Sequence, residues 1–218
     1  MRVGDTVRRA RGENGALVQR VLRRLEDECV LWAPRALGID ERGRDVLSWI
    51  PGDTATSGDQ VDVLALAGIV RRLHDLTAGM VDGSDCVIHD DLQPRNVVVR
   101  GRIPIGLIDW EQARPGRRVE DVAKLCWSFI EPRPGSDPVE IGERWCEIVD
   151  VYGLKSTEIF LSTVIGQMEA CADDIEREAA RGSVRHQALA ARGDHKALRA
   201  MHRWALANEQ ILQKFIRA

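Results

Sequence analysis

The chain changes its apolar period once, and that change limits what it can fold into. Up to about residue 52 it reads as short extended runs around one helix. Asp5–Arg9 is a candidate strand, and Arg35–Ile39 and Asp45–Ile50 flank the turn signal Asp40-Glu41-Arg42-Gly43, which predicts a β-hairpin. Leu17, Val21, Leu25 and Cys29 recur at near-helical spacing and predict an amphipathic helix over 15–28. From Gln60 onward the period is helical. Stripes run through Leu66–Leu76, Ile141–Tyr152, Phe160–Ile175 and Leu198–Phe215. They are interrupted by a short strand at 86–88 and a second hairpin, Val97–Arg100 and Ile103–Ile108, that turns at Gly101. Asp137-Pro138 with Glu140 marks a helix start. Segregation of strands from helices predicts an α+β fold of two unequal parts, 1–52 and 53–218, joined at Pro51-Gly52, and argues against a doubly wound sheet.

Composition removes several functions. The 218 residues carry 31 basic and 34 acidic side chains, a net charge of -3, so no global basic bias points to nucleic acid. No apolar stretch approaches the roughly 20 residues of a membrane span. Met1-Arg2-Val3-Gly4-Asp5 lacks the apolar core of a signal peptide. The five cysteines are scattered and form no CxxC pair, which predicts neither a zinc ribbon nor a disulfide framework, and a reduced, cytoplasmic protein. Four of the 31 basic residues are lysines, so 27 are arginines, and no lysine precedes Lys124.

The chemistry concentrates in Val87-Ile88-His89-Asp90-Asp91-Leu92-Gln93-Pro94-Arg95-Asn96-Val97. It contains His-x-Asp-x-x-x-x-Asn, a pattern expected by chance fewer than ~0.01 times in a chain with so few His and Asn. A second polar island, Asp109-Trp110-Glu111, follows the hairpin. Asn96 precedes one strand and Asp109 follows the other, so an antiparallel return sets them side by side, roughly 5 Å apart. Paired hard oxygen donors suit Mg²⁺ completed by phosphate and water. Asp91, five residues before Asn96, could accept a proton from a substrate hydroxyl. That is the arrangement phosphoryl transfer requires.

These residues resemble the aminoglycoside phosphotransferase family, which has a protein-kinase-like fold and includes choline-kinase-like enzymes. The resemblance rests on His89–Asn96, Ile108-Asp109-Trp110-Glu111-Gln112-Ala113, Gly116 and Glu120-Asp121-Val122-Ala123. Leu73-His74-Asp75-Leu76 and Val46–Gly52 are also similar. It implies an ATP- and Mg²⁺-dependent phosphotransferase acting on a hydroxyl of a small molecule. Asp91 would be the catalytic base, Asn96 and Asp109 the metal ligands, and His89 a support for the loop. Asp121 would brace that loop, and the backbone of Ser48, Trp49 and Ile50 would face adenine. Trp110 is similar to the antibiotic- and choline-kinase branch, whereas Asp90 departs from the Gly or Asn often found there.

The N-terminal part departs further. Five residues before Thr6 leave no room for the family's phosphate-covering hairpin. By strand alternation the phosphate-contacting cation would be Arg8, with Arg9 as fallback. The matching helix over 15–28 offers Val18 or Gln19 where the family has a Glu, with Glu13 as a remote alternative. These departures motivate an alternative, a catalytically impaired binding or regulatory module, and a second copy could cover the surface of a shortened lobe. Glu169, Asp173 and Glu176 share a helix face and could hold an amine, against the plainer expectation of a solvated charged face. The tail Lys214–Ala218 offers no acid to a polycationic substrate.

Overall fold

In the computed structural model the described residues are 1–216. Arg217 and Ala218, the end of the tail considered above, lie outside them. The chain forms two compact units, 1–129 and 130–218.

The first unit begins with strands β1 (Arg2–Val3) and β2 (Thr6–Arg9), helix α1 (Gly15–Asp27), and strands β3 (Ala36–Ile39) and β4 (Asp45–Ser48). The four strands make an antiparallel sheet in the order β1-β2-β4-β3. Helix α1 buries Val18, Val21, Leu22 and Leu25; of the predicted stripe Val21 and Leu25 are buried, while Leu17 is half-buried and Cys29 exposed, so the buried face is rotated from the predicted one. The turn before β4 is held by Asp40, whose Oδ1 accepts the amides of Arg42 and Arg44, each at 3.0 Å. The Arg44 guanidinium, first among several donors, holds the Asp40 carboxyl down at about 2.

A second sheet pairs β5 (Asp53–Thr54), β7 (Val97–Arg100) and β8 (Ile103–Leu107). Pro51-Gly52, the expected hinge, therefore carries the chain from the first sheet to the second. Gly52 has φ +150°, and a Cβ there would lie 2.6 Å from Val98 Cγ1, so the crossing requires glycine. Helix α2 (Val63–Thr77) is capped by Asp62, whose Oδ1 accepts Ala65 N–H at 3.0 Å. Its apolar face is buried through Leu66, Val70 and Leu73. Strand β6 (Cys86–Ile88) pairs antiparallel with β9 (Arg114–Gly116), and helix α3 (Arg118–Phe129) follows.

The second unit is helical: α4 (Pro138–Tyr152), α5 (Phe160–Ala180), α6 (Val184–Arg192), α7 (Asp194–Ala207) and α8 (Glu209–Ile216). Asp137 caps α4 by accepting Val139 N–H at 2.9 Å. The stripe from Leu198 to Phe215 is broken at Asn208, whose side chain donates to Trp204 O at 2.8 Å. Gly142 leaves space for the Phe215 ring, which would otherwise lie 2.5 Å from a Cβ. Of the five cysteines, Cys86 and Cys126 are buried, as expected of small core residues, while Cys29 is exposed with φ +55°. No helix among the described residues is long and apolar enough to cross a membrane.

Candidate active site

The His89–Asn96 segment leaves β6 and enters β7, so both of its ends are tied to sheets. His89 is fully buried. Its Nε2 lies 3.0 Å from Ile108 O, a contact that needs the proton on Nε2. Nδ1 is buried without a partner. Burial, opposed mainly by the Asp121 charge, lowers the His89 pKa and keeps the ring neutral. The indole of Trp110 meets the imidazole edge-on at 4.9 Å and donates to Leu107 O at 2.8 Å. Thus Trp110 packs the turn that carries Asp109.

Asp121, in the first turn of α3, is the anchor expected of it. Its Oδ2 accepts His89 N–H at 2.7 Å and the His74 ring at 3.0 Å, and its Oδ1 accepts Asp90 N–H at 3.0 Å. Burial works to raise the Asp121 pKa. The His74 hydrogen bond, with the charges and amide around it, outweighs burial and leaves the carboxyl below its ordinary range.

Asp91 is half-buried. Asn96 Nδ2 donates to Asp91 Oδ2 and to Asp91 O, both at 2.8 Å, and Gln93 Nε2 donates to Oδ1. Asn96 is buried, and its amide nitrogen is spent on Asp91, so its oxygen is the donor left for a cation. Ile108 N–H donates to Asn96 O at 2.9 Å, which confirms the side-by-side strand ends derived from the hairpin. Asp109 follows at once, in the left-handed region with φ +67°.

The basic residue beside Asp109 is Arg9. Its Nη2 lies 3.0 Å from Asp109 Oδ1. Arg8 points elsewhere, donating to Thr6 Oγ1 at 2.6 Å with its Nε 3.7 Å from Asp40 Oδ2. The structure thus puts the fallback, not the first choice, at the site. Alternation separates the two faces of β2 but does not say which is inside, and a slip of one residue exchanges them. Register pairs Arg9 with Asp45 of β4. Asp45 is buried, and its Oδ1 accepts Gln19 Nε2 from α1 at 2.9 Å. So Gln19 occupies the interior face where no Glu was found, and the acid is supplied by the adjacent strand instead. Asp45 and Gln19's link to it were not foreseen. The only signal was a carboxylate in an otherwise apolar strand. Arg9, Asp45, Asp109 and Val18 line a small cavity of about 30 Å³.

Ser48 ends β4, and Trp49 and Ile50 follow it. Ser48 N–H donates to Arg35 O at 3.0 Å and Trp49 N–H to Asp5 O at 2.8 Å. The Arg2 guanidinium stacks on Trp49 at 4.4 Å. Ile50 packs against Gly106, where a Cβ would be 2.8 Å from Ile50 Cγ2.

In the second unit, the acidic face of α5 is met by Arg199 of α7, which pairs with Asp173 and, at 3.1 Å, with Glu176. Two of the three acids considered for an amine are therefore neutralised within the unit, as expected of a charged face.

A His-Asp-Asn loop braced by a buried carboxylate, with a second carboxylate at the adjacent strand end, defines a phosphotransferase-type site in an α+β, protein-kinase-like fold. Residues 4–155 match the phosphotransferase enzyme family (APH), and the chain belongs to it. Among solved structures, the gentamicin–APH(2")-IIa complex is similar with a TM-score of 0.56 at 13% identity, covering 83% of this chain and 81% of that one, a likeness of fold. The trifolitoxin immunity protein of Rhizobium leguminosarum bv. trifolii is 34% identical over 146 residues, 58% of this chain. The match spans 56% of that relative's length, about half.

Proposed function

We propose that the protein transfers the γ-phosphoryl group of ATP to a hydroxyl of a small molecule of the antibiotic or toxin type. The observation that carries this reading is the Asn96–Asp91 contact at 2.8 Å, which turns one Asp91 oxygen toward Asn96 and leaves the carboxylate able to accept a proton. Asp91 would orient the acceptor hydroxyl and take its proton as the new P–O bond forms. Arg9 would leave Asp109 to contact the phosphates, keeping its charge. The carbonyls of Ser48 and Trp49, with Ile50 N–H, would read the adenine edge, since two of the three amides are engaged in the sheet.

The donor set fits Mg²⁺. Asp109 supplies a carboxylate, Asn96 an amide oxygen, and the Arg9 guanidinium already stands as a cation against Asp109. Among the described residues no cluster of three His, Cys, Asp or Glu side chains could hold a metal ion. A magnesium ion held by Asn96 and Asp109 would take its remaining ligands from phosphate and water. When bound it would neutralise charge developing on the phosphates.

The names of the two relatives motivate the acceptor class, an immunity protein in one case and a gentamicin complex in the other. The test is ATP consumption over a panel of aminoglycosides, hydroxyl-bearing peptide toxins, choline and amino alcohols, with Asp91→Asn beside it. Turnover untouched by Asp91→Asn would sink the assignment. The absence of a lysine before Lys124 motivates a second reading, a binding module without catalysis. Saturating Mg·ATP at about 100 times its Kd would stabilise a true kinase by roughly 2.7 kcal/mol. A flat thermal response would favour the module.

A further inference from the structure

The contacts around the His89–Asn96 loop form a continuous chain from β9 and α3 to the loop backbone. We infer that Asp90 and Arg114 form a matched pair that positions Asp91. Arg114 is therefore a positioning residue of the site, although it touches no reacting atom. This rests on the phosphotransferase reading above.

Asp90 lies in the left-handed region, φ +63°. The turn from β6 into the loop needs that conformation, which explains why glycine or asparagine would suit the position. Asp adopts it here because its side chain is gripped. Arg114 Nε donates to Asp90 Oδ2 at 2.6 Å and Nη2 donates to Oδ1 at 3.1 Å, a two-point fork. The same Nη2 donates to Glu120 Oε2 at 2.8 Å, and Glu120 Oε1 accepts Arg117 N–H at 2.8 Å. Arg114 is in register with Ile88 across the β6–β9 pair, so its base is fixed to the strand that launches the loop. Asp121 holds the neighbouring peptide through the amides of His89 and Asp90.

The His89–Asp90 backbone is thus clamped from two sides, directly by Asp121 and through Arg114 by Glu120. On the other flank Asp91 is held only by Gln93 and Asn96, and Asn96 also belongs to the proposed metal site. Freeing Asp90 would let the Asp91 carboxylate drift while leaving the nucleotide groups in place. A displacement of about 1 Å is worth up to 100-fold in rate.

Asp90→Gly separates positioning from stability, because glycine takes the left-handed turn without strain but loses the fork. Three quantities are measured on the full chain: melting temperature, amide exchange at His89 and Asp90, and steady-state turnover with the best acceptor. The expected result is a melting temperature no lower than wild type and exchange at both amides faster by about tenfold. kcat should fall about tenfold while the KM for Mg·ATP stays within twofold. Arg114→Gln added to Asp90→Gly should reduce kcat no further than twofold, since the two act as one unit. Unchanged exchange overturns the inference, as does faster exchange with unchanged kcat. If the wild-type chain turns over no acceptor, the kinase reading fails, and the positioning claim stands or falls on exchange alone.

Discussion

The buried Asp121 carboxylate offers the sharpest test of how the His89–Asn96 loop is held. Asp121→Asn conserves shape but removes one acceptor and the charge. Three donors converge on the wild-type side chain, His74 Nε2, His89 N–H and Asp90 N–H, at 2.7–3.0 Å. An asparagine can accept from one side only, so its NH₂ group must face at least one of these donors in a site 1% exposed. Breaking such a buried, charge-assisted set costs about 3–5 kcal/mol. At roughly 2–4 °C per kcal/mol the melting temperature should fall by about 6–20 °C. The pH dependence carries a second signature. The folded-state pKa of Asp121 is depressed, so the unfolded chain takes up a proton near pH 4 that the folded one refuses. The stabilisation is therefore present above about pH 4 and lost as pH falls below it. The Asp121 contribution to the gap between wild type and variant should shrink below pH 4. Buried, neutral His89 adds a loss beginning near pH 6.5 in both proteins, larger in the variant because the Asp121 charge that opposes the effect of burial is gone. Thermal melts from pH 7 to 3 are the assay. A fall of under 2 °C at pH 7 would refute the bracing role.

Two further outcomes follow from the geometry. Arg9→Gln should abolish most of the thermal shift produced by Mg·ATP, while Arg8→Gln, which removes a contact to Thr6 and Asp40, should leave that shift within 1 °C of wild type. Gly58→Ala should destabilise by about 1–3 kcal/mol, because its Cβ would fall on the Phe129 carbonyl, 2.8 Å from the carbonyl carbon. Gly68→Ala, with nothing within 4 Å in the middle of α2, should stabilise by about 0.5–1 kcal/mol in urea unfolding.

What could be read from the chain was what lies close along it. The His89–Asn96 loop and the 97–108 hairpin are local, and their residue types and spacing define both the turn and the polar groups it carries. Most helices followed from apolar spacing, as Val21 and Leu25 show in α1, although its buried face also takes in Val18 and Leu22, and α6 had no stripe of its own. The failures were contacts between distant segments. Choosing between Arg8 and Arg9 requires knowing that Arg9 pairs with Asp45, 36 positions later, and faces Asp109. Strand β9 has three residues, one of them proline, which is too short for alternation to register. The break at Asn208 contains no proline or glycine, so the apolar stripe runs through it. Asp90 was visible as a departure, but its meaning depended on Arg114, which no local pattern connects to it.

The absence of lysine before Lys124 now has a structural counterpart. Arg9, paired with Asp109 and in strand register with Asp45, must keep its charge while partly withdrawn from water. A lysine can lose its proton under burial, whereas a guanidinium stays charged at any accessible pH. Its planar fork can also hold one carboxylate while another group approaches its second edge. The Gln19–Asp45 bond has the same logic. A neutral amide on α1 leaves Asp45 as the acid of that pair, so the negative charge sits on the strand directly opposite Arg9 rather than on the helix. Moving the acid from helix to strand shortens its reach to a residue on the neighbouring strand, since directly opposed side chains in an antiparallel pair start only about 5 Å apart.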